Sequence, residues 1–328
     1  MASPPKLTKR DLATLCARTF PDRPHQHIGA VKPLPGRQHE MVAFRLRWHA
    51  LDSEHDESLV ARRYISTLSW WRPDDLGKAQ REATVTRWLH EQGFPVPAVY
   101  AREFGALGDV VLFSRLPGQD WSASKLPFPE VVHPHVDQFA ELLAWLHSLN
   151  PPKAVREVVP RVTLPTALAS LMALAAQIGL PELVGAIEQA MQHAYDLSET
   201  EAVLLHGDYH FSNTLLFDGR ISGIVDWEYC ALGDPRWDIA NAYSQLVDFD
   251  AASAADRFLD TYLCASGRAF GGPPLYVIVA ALQQWTISEW VVKQQTGGHS
   301  PAFAMAQTLV DLRDVHRRRA LVALEQLK

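Results

Sequence analysis

Cysteine is scarce: Cys16, Cys230 and Cys264 are the three among 328 residues. They are odd in number and far apart. Neither a disulfide framework nor a thiolate metal cluster follows, and a reducing, cytoplasmic setting is expected. Positive charge is not in excess either. Lys and Arg number 31 against 37 Asp and Glu, a formal net charge of −6. Nonspecific nucleic-acid binding, which rests on neutralising phosphates, is therefore not expected. The N-terminus, Met1-Ala-Ser-Pro-Pro-Lys6, lacks the apolar core of a secretory leader. Long hydrophobic runs are missing as well: Leu164–Leu180 is broken by small and polar residues and is too short to span a bilayer.

What is present is a globular balance, 47% hydrophobic and 21% charged, in a chain long enough for two lobes with a core in each. Met41–Trp48 sets Val42, Phe44, Leu46 and Trp48 against Arg45 and Arg47, the alternation of a half-buried strand. An acidic, exposed turn is expected at Asp52–Glu57, then a second strand over Leu59–Leu68. Val85, Trp88 and Leu89 give Lys78–Gln92 helical spacing, stopped by Gly93 and Pro95. Asp109–Phe113 reads as a short strand running into Leu116-Pro117-Gly118, a hinge. Helices are expected beyond it: one carrying Phe139, Leu142, Leu143 and Leu146, then Pro165–Ile178, Pro181–Leu197, Ala280–Gln294 and Ala302–Leu327. One β insertion, Val203–Trp227, interrupts them and holds the polar motifs. The expected fold class is α+β, a small β-rich lobe over residues 1–115 and a larger, mainly helical lobe over 116–328.

Within the insertion, Asp218-Gly219 between two apolar runs is a two-residue hairpin signal. Pairing Phe217 with Arg220 puts Asn213 opposite Ile224 and makes Asp226 its diagonal neighbour. Diagonal pairs lie about 7–8 Å apart at Cα, which lets a carboxamide and a carboxylate share a hydrated magnesium ion. Asp208 sits five residues before Asn213, placed to accept or orient the proton of an attacking hydroxyl. The set is minimal equipment for phosphoryl transfer.

His206-Gly-Asp-x-x-x-x-Asn213, Ile224-Val-Asp-Trp-Glu-Tyr229 and Gly233-Asp-Pro-x-x-Asp238-Ile-Ala, in that order, resemble the aminoglycoside phosphotransferase and choline kinase superfamily. Its fold resembles that of protein kinases. Weaker similarity extends from about Ile28 to Ala242. The resemblance implies Asp208 as catalytic base, Asn213 and Asp226 as magnesium ligands, and ATP or GTP as donor to a small-molecule hydroxyl. It also implies that Asp238 braces the catalytic loop; Gly207-Asp208 and the strand context break a helix there, which makes His206 a structural histidine holding the loop.

On the nucleotide side, Glu82 falls on the apolar face of its helix, and an inward carboxylate needs a cation. The matching strand, Leu59-Val-Ala-Arg-Arg-Tyr64, has no lysine. Arg62 takes that role by resemblance and Arg63 is its rival. Gly36 is the single glycine of the candidate phosphate-covering turn. The hinge residues Phe113, Ser114 and Leu116 are expected to offer backbone groups to adenine.

Three rivals follow. A protein kinase is disfavoured by the short stretch from Asp226 to Asp238. A nucleotide-binding pseudokinase is motivated by the missing lysine, and a zinc hydrolase by His206-x-x-x-His210. For the acceptor, Glu228, Asp234, Trp285 and Glu289 are candidates. Trp285 and Trp290 with Glu289 suggest an aromatic, acidic box for a choline- or ethanolamine-type amine, against the alternative of two core tryptophans. Asp234, Asp248 and Asp250 are the carboxylates an aminoglycoside would want.

Overall fold

The computed structural model describes residues 6–34, 39–50, 53–65, 75–194, 201–269, 274–296 and 306–325. The chain opens with helix α1 (Lys9–Thr19), capped by Thr8, whose hydroxyl accepts from Asp11 N–H while the Asp11 carboxylate accepts from Thr8 N–H. Strands β1 (His27–Ile28), β2 (Lys32–Pro33), β3 (Glu40–Ala50) and β4 (Ser53–Tyr64) follow, then α2 (Lys78–Glu91), β5 (Val99–Gly105) and β6 (Gly108–Ser114). They build one antiparallel sheet in the order β1-β3-β4-β6-β5, with β2 also paired to β3.

The alternation of Val42, Phe44 and Leu46 buries one sheet face against Leu12, Leu15 and Cys16 of α1. On the other face Val111 and Phe113 meet Ala79 and Ala83 of α2. The acidic segment expected as a turn is instead strand: residues 53–57 continue β4, with Arg45 and Arg47 opposite Ser58 and Asp56 across the ladder. Cross-strand partners make extended acidic residues acceptable there, and Arg45 Nη1 lies 2.5 Å from Asp56 Oδ2.

The remainder is mainly helical. It contains α3 (Phe128–Val132), α4 (Val136–Ser148), α5 (Lys153–Arg156), α6 (Leu164–Ile178), α7 (Pro181–Ala194), α8 (Arg236–Asp248), α9 (Ala252–Ser266), α10 (Pro274–Thr296) and α11 (Ala306–Glu325). Between α7 and α8 lie β7 (Val203–Leu205), β8 (Thr214–Phe217), β9 (Arg220–Ile224) and β10 (Ala231–Gly233). Two cores fill it. One joins α4 and α9 to Tyr209, Phe211 and Trp227, and Val85 and Leu89 of α2 reach into it. Helix α2 thus ties the sheet to the helical part. The other core packs α6, α7, α8 and α10. Helix α10 is long and apolar enough to cross a membrane by length and composition, yet Leu275, Ile278, Val279, Leu282 and Trp285 are buried in this core.

The hinge after β6 leans on the β8–β9 hairpin. Gln119 and Leu216 exchange backbone hydrogen bonds of 3.1 and 2.8 Å. Gly118 stands at φ +107°, where a Cβ would come 2.7 Å from Leu216 O and 2.8 Å from Ser222 Oγ. Gly118→Ala is expected to lower stability by about 1–3 kcal/mol, read as a lower denaturant midpoint at unchanged slope. An unchanged midpoint would show that the crossing yields easily.

Candidate active site

The loop 206–213 joins β7 to β8 and is held from behind by α8. Asp238, fully buried, accepts from His206 N–H at 2.7 Å and from Gly207 N–H at 2.8 Å. His147 Nε2 lies 3.3 Å from the same carboxylate, and its Nδ1 lies 2.8 Å from the Tyr262 hydroxyl. Burial pushes the His147 imidazole below its usual range. Two turns further along α8, Gln245 Oε1 accepts from Phe211 N–H at 2.6 Å, and its amide nitrogen donates to Ser212 Oγ. The loop is therefore pinned at both ends by one helix.

His206 lies inside the loop, its Nε2 donating to Val225 O at 3.0 Å and its Nδ1 accepting from Asp208 N–H at 3.3 Å. Both ring nitrogens are occupied, and no helix runs through residues 206–210. The zinc-hydrolase alternative required that helix. Tyr209 stacks on Phe139, with centroids 4.5 Å apart, and donates to Phe139 O. This leaves Asp208 turned toward the hairpin. Asn213 Nδ2 donates to Asp208 O at 2.9 Å and to Asp208 Oδ2 at 3.1 Å, while His210 Nδ1 lies 3.2 Å from Asp208 Oδ1.

The hairpin forms with Asp218-Gly219 at its turn, but its register needs correcting. Phe217 pairs with Arg220 and Leu216 with Ile221, then the ladder slips, so that Thr214 rather than Asn213 faces Ile224. Ser222 is the extra residue. Its hydroxyl donates to Pro117 O at 2.7 Å and to Leu215 O at 3.1 Å, which stabilises the bulge. Asn213 O accepts instead from Val225 N–H at 2.9 Å, one residue from Asp226. Asp226 itself adopts φ +73°, ψ +55°, a left-handed conformation that Asp tolerates better than most residues. That turn throws Trp227 into the core and leaves the Asp226 side chain 30% exposed.

From the sheet, Arg62 reaches the same point. Its Nη1 donates to Glu82 Oε1 at 3.0 Å and its Nη2 to Asp226 Oδ1 at 2.8 Å. Nη2 also stands 3.3 Å from Glu228 Oε2. Burial pushes the Glu82 carboxyl up to about 7 against the pull of Arg62, and the Tyr64 hydroxyl donates to it. Arg63 points the other way: its Nη2 meets Glu40 Oε2 at 2.5 Å, and Glu40 in turn accepts from Leu7 N–H. The period of two along β4 explains the difference. Val60, Arg62 and Tyr64 share the α2 side, while Leu59, Ala61 and Arg63 share the α1 side.

Other sequence candidates land elsewhere. Glu228 is buried and turned to the sheet lobe, where it meets Arg62, His39 and Lys78. Burial alone would raise its carboxyl, but these groups outweigh it and hold it well below the usual range. Asp234 is buried in a bidentate pair with Arg236, at 2.9 and 2.6 Å. Trp285 is fully buried in the helical core, its indole N–H given to Glu289 at 3.1 Å. Trp285 is thus a core tryptophan and the amine box does not form around it. Asp248 is taken by Arg319 at 2.6 Å and lies 3.4 Å from His316. At the hinge, the Ser114 and Arg115 amides already donate to Ala98 O and Ser58 O, and Phe113 pairs within the sheet. Gly36 lies outside the described residues. The sequence reading missed His39, Lys78, Arg81 and Gln245. Inward spacing with Glu82 was the available signal for Lys78; an isolated His39 carried none.

A sheet lobe joined through a hinge to a helical lobe, with carboxylates of the helical lobe facing a strand arginine and a helix glutamate, defines a kinase-like phosphotransferase architecture. The chain belongs to the phosphotransferase enzyme family, whose model matches residues 40–276. It is 32% identical over 193 residues to viomycin phosphotransferase of Streptomyces vinaceus, a match covering 55% of this chain and 63% of that protein. Among solved structures it resembles a protein of Ralstonia eutropha JMP134 provisionally assigned as an aminoglycoside phosphotransferase (TM-score 0.72, 16% identity, 96% of this chain and 98% of that one). It also resembles a thermostable mutant of aminoglycoside phosphotransferase APH(4)-Ia in ternary complex with ADP and hygromycin B (TM-score 0.64, 14% identity, 95% and 97%).

Proposed function

We propose that the protein is a kinase that transfers the γ-phosphoryl group of ATP or GTP to a hydroxyl of a small metabolite or antibiotic. The observation that carries this reading is the convergence of Asp208, Asn213 and Asp226 opposite the Arg62–Glu82 pair. Residues 1–115 cover the nucleotide, and residues 116–328 supply the catalytic loop and the acceptor pocket. Asp208 takes the acceptor proton or orients the hydroxyl; Arg62, steadied by Glu82, faces the phosphates. The Leu116 amide, without a hydrogen bond among the described residues, is the hinge donor for the base.

The residues fit magnesium. Asn213 and Asp226 offer oxygen ligands, Asp226 is partly exposed, and such sites take few ligands from protein. Bound there, the ion would offset phosphate charge. The three unpaired cysteines support a cytoplasmic location.

Similarity to antibiotic phosphotransferases favours an antibiotic acceptor over a choline- or ethanolamine-type amine, which the Trp285 box and the likeness of Asp226-Trp-Glu-Tyr229 to the Asp-Phe-Glu-Tyr of choline kinases had motivated. The test is nucleotide consumption with ATP and GTP across viomycin, aminoglycosides, macrolides, amino alcohols and sugars. Acceptor-dependent consumption is expected. Intact nucleotide binding with no consumption would favour the pseudokinase reading.

The two arginines make a paired prediction. Arg62→Ala is expected to raise the nucleotide KM at least about tenfold, as loss of a charged hydrogen-bonding group costs about 1.5–3 kcal/mol. Arg63→Ala should leave that KM unchanged and lower stability. Equal kinetic effects in the two variants would refute the division of faces.

A further inference from the structure

Glu228 is gripped from the sheet lobe at both ends. Its carboxylate Oε2 meets His39 Nε2, lies 3.3 Å from Arg62 Nη2 and 3.4 Å from Lys78 Nζ. Its carbonyl oxygen accepts from Arg81 Nε at 3.0 Å and Nη2 at 2.6 Å, and Asp75 holds the same guanidinium. These partners come from the residue just before β3, from β4 and from α2. His39 is fixed in turn, because its Nδ1 accepts from Ile65 N–H at 3.0 Å. No acceptor-facing surface is left on Glu228, which is 3% exposed.

The decisive detail is the sharing of one nitrogen. Arg62 Nη2 stands 2.8 Å from Asp226 Oδ1 and 3.3 Å from Glu228 Oε2. Nη2 gives a hydrogen bond to Asp226 and only an ion-pair contact to Glu228, so what the two carboxylates share is the positive charge of Arg62, which each then draws on less than it would alone. Take away the Glu228 charge and the Arg62 charge acts on Asp226, the carboxylate offered to a divalent cation, with one competitor fewer.

We propose that Glu228 is a positioning residue that divides Arg62 and so keeps Asp226 available to the metal, while locking the sheet lobe onto the metal-binding turn. The inference rests on the kinase reading above, and deepens it by assigning metal responsiveness to a residue that touches neither metal nor acceptor.

The test is calorimetric titration of ADP into the full chain with and without magnesium, beside steady-state kinetics. In the wild type magnesium is expected to tighten ADP binding; no gain there would overturn the inference. In Glu228→Gln that gain is expected to shrink about tenfold, within the range of coupling between contacting residues, while metal-free ADP affinity is retained. Glu228→Asp, which keeps the charge, should recover most of the gain. Because Glu228→Gln leaves buried cations unpaired and is liable to misfold, the Glu228→Gln/Lys78→Met double variant is measured as well, with the same loss expected. A parallel fall of metal-free and metal-dependent affinity would reduce Glu228 to scaffold. An unchanged magnesium gain with a raised acceptor KM would make it an acceptor residue. Either outcome overturns the inference and leaves the kinase reading standing. A wild type that binds no nucleotide would remove both.

Discussion

Asp208→Asn is expected to lower kcat by about 10²–10⁴-fold, the span of a positioned acid–base group, with nucleotide affinity preserved. The replacement keeps the shape of the side chain, so the contacts from Asn213 and His210 have a partner to remain with. What goes is the negative oxygen that would receive the hydroxyl proton. The loop itself does not depend on that carboxylate, since Asp238 and Gln245 hold it at both ends. Turnover near the wild-type value, measured with any acceptor that the wild type phosphorylates, would remove Asp208 from this role.

The second large effect is expected on stability. Asp238→Ala should cost about 3–5 kcal/mol, as breaking a buried charged interaction typically does. Asp238 is completely buried and satisfies the His206 and Gly207 amides together with His147. Truncation strands two backbone N–H groups where water does not reach, and each stranded donor carries its own desolvation cost of about 1–3 kcal/mol. Asp238→Asn retains one acceptor oxygen and should lose less. Chemical denaturation of the three proteins gives the order directly: wild type, Asn, then Ala. A loss below about 1 kcal/mol for the Ala variant would mean that the loop finds other partners.

The parts of the site that lie on one continuous segment were legible in the sequence. Asp208, Asn213 and the Asp218-Gly219 turn sit within eleven residues of one another, and local periodicity determines most of their arrangement. The register error came from Ser222, whose bulge is stabilised by a carbonyl of the distant hinge at Pro117. Neither Arg62 nor Arg63 carries a local mark of inward direction. Their opposite facing follows once β4 is seen with α1 on one side and α2 on the other.

The placement of Trp285 was hidden for a related reason. Trp285, Trp290 and Glu289 are the aromatic and acidic residues of a possible box, but Trp285 and Glu289 also stand four residues apart on one helix. That spacing suits equally a core indole bonded to its own helix neighbour, and the buried position of α10 decides for the latter. Strand β5 lacks clean alternation, and α1 and α9 carry no motif that marks them in the sequence. Their apolar positions become intelligible beside the sheet face and α4 that they cover.

The central claim is that Asn213 and Asp226 hold a metal beside Asp208, with Arg62 on the nucleotide phosphates. A crystal structure with a non-hydrolysable nucleotide and manganese in place of magnesium tests it most directly, because manganese is located by its anomalous scattering. The account predicts an anomalous peak bonded to Asp226 and the Asn213 carboxamide oxygen, and phosphates within reach of Arg62. A nucleotide bound with the peak away from both residues, or with its phosphates away from Arg62, would contradict it.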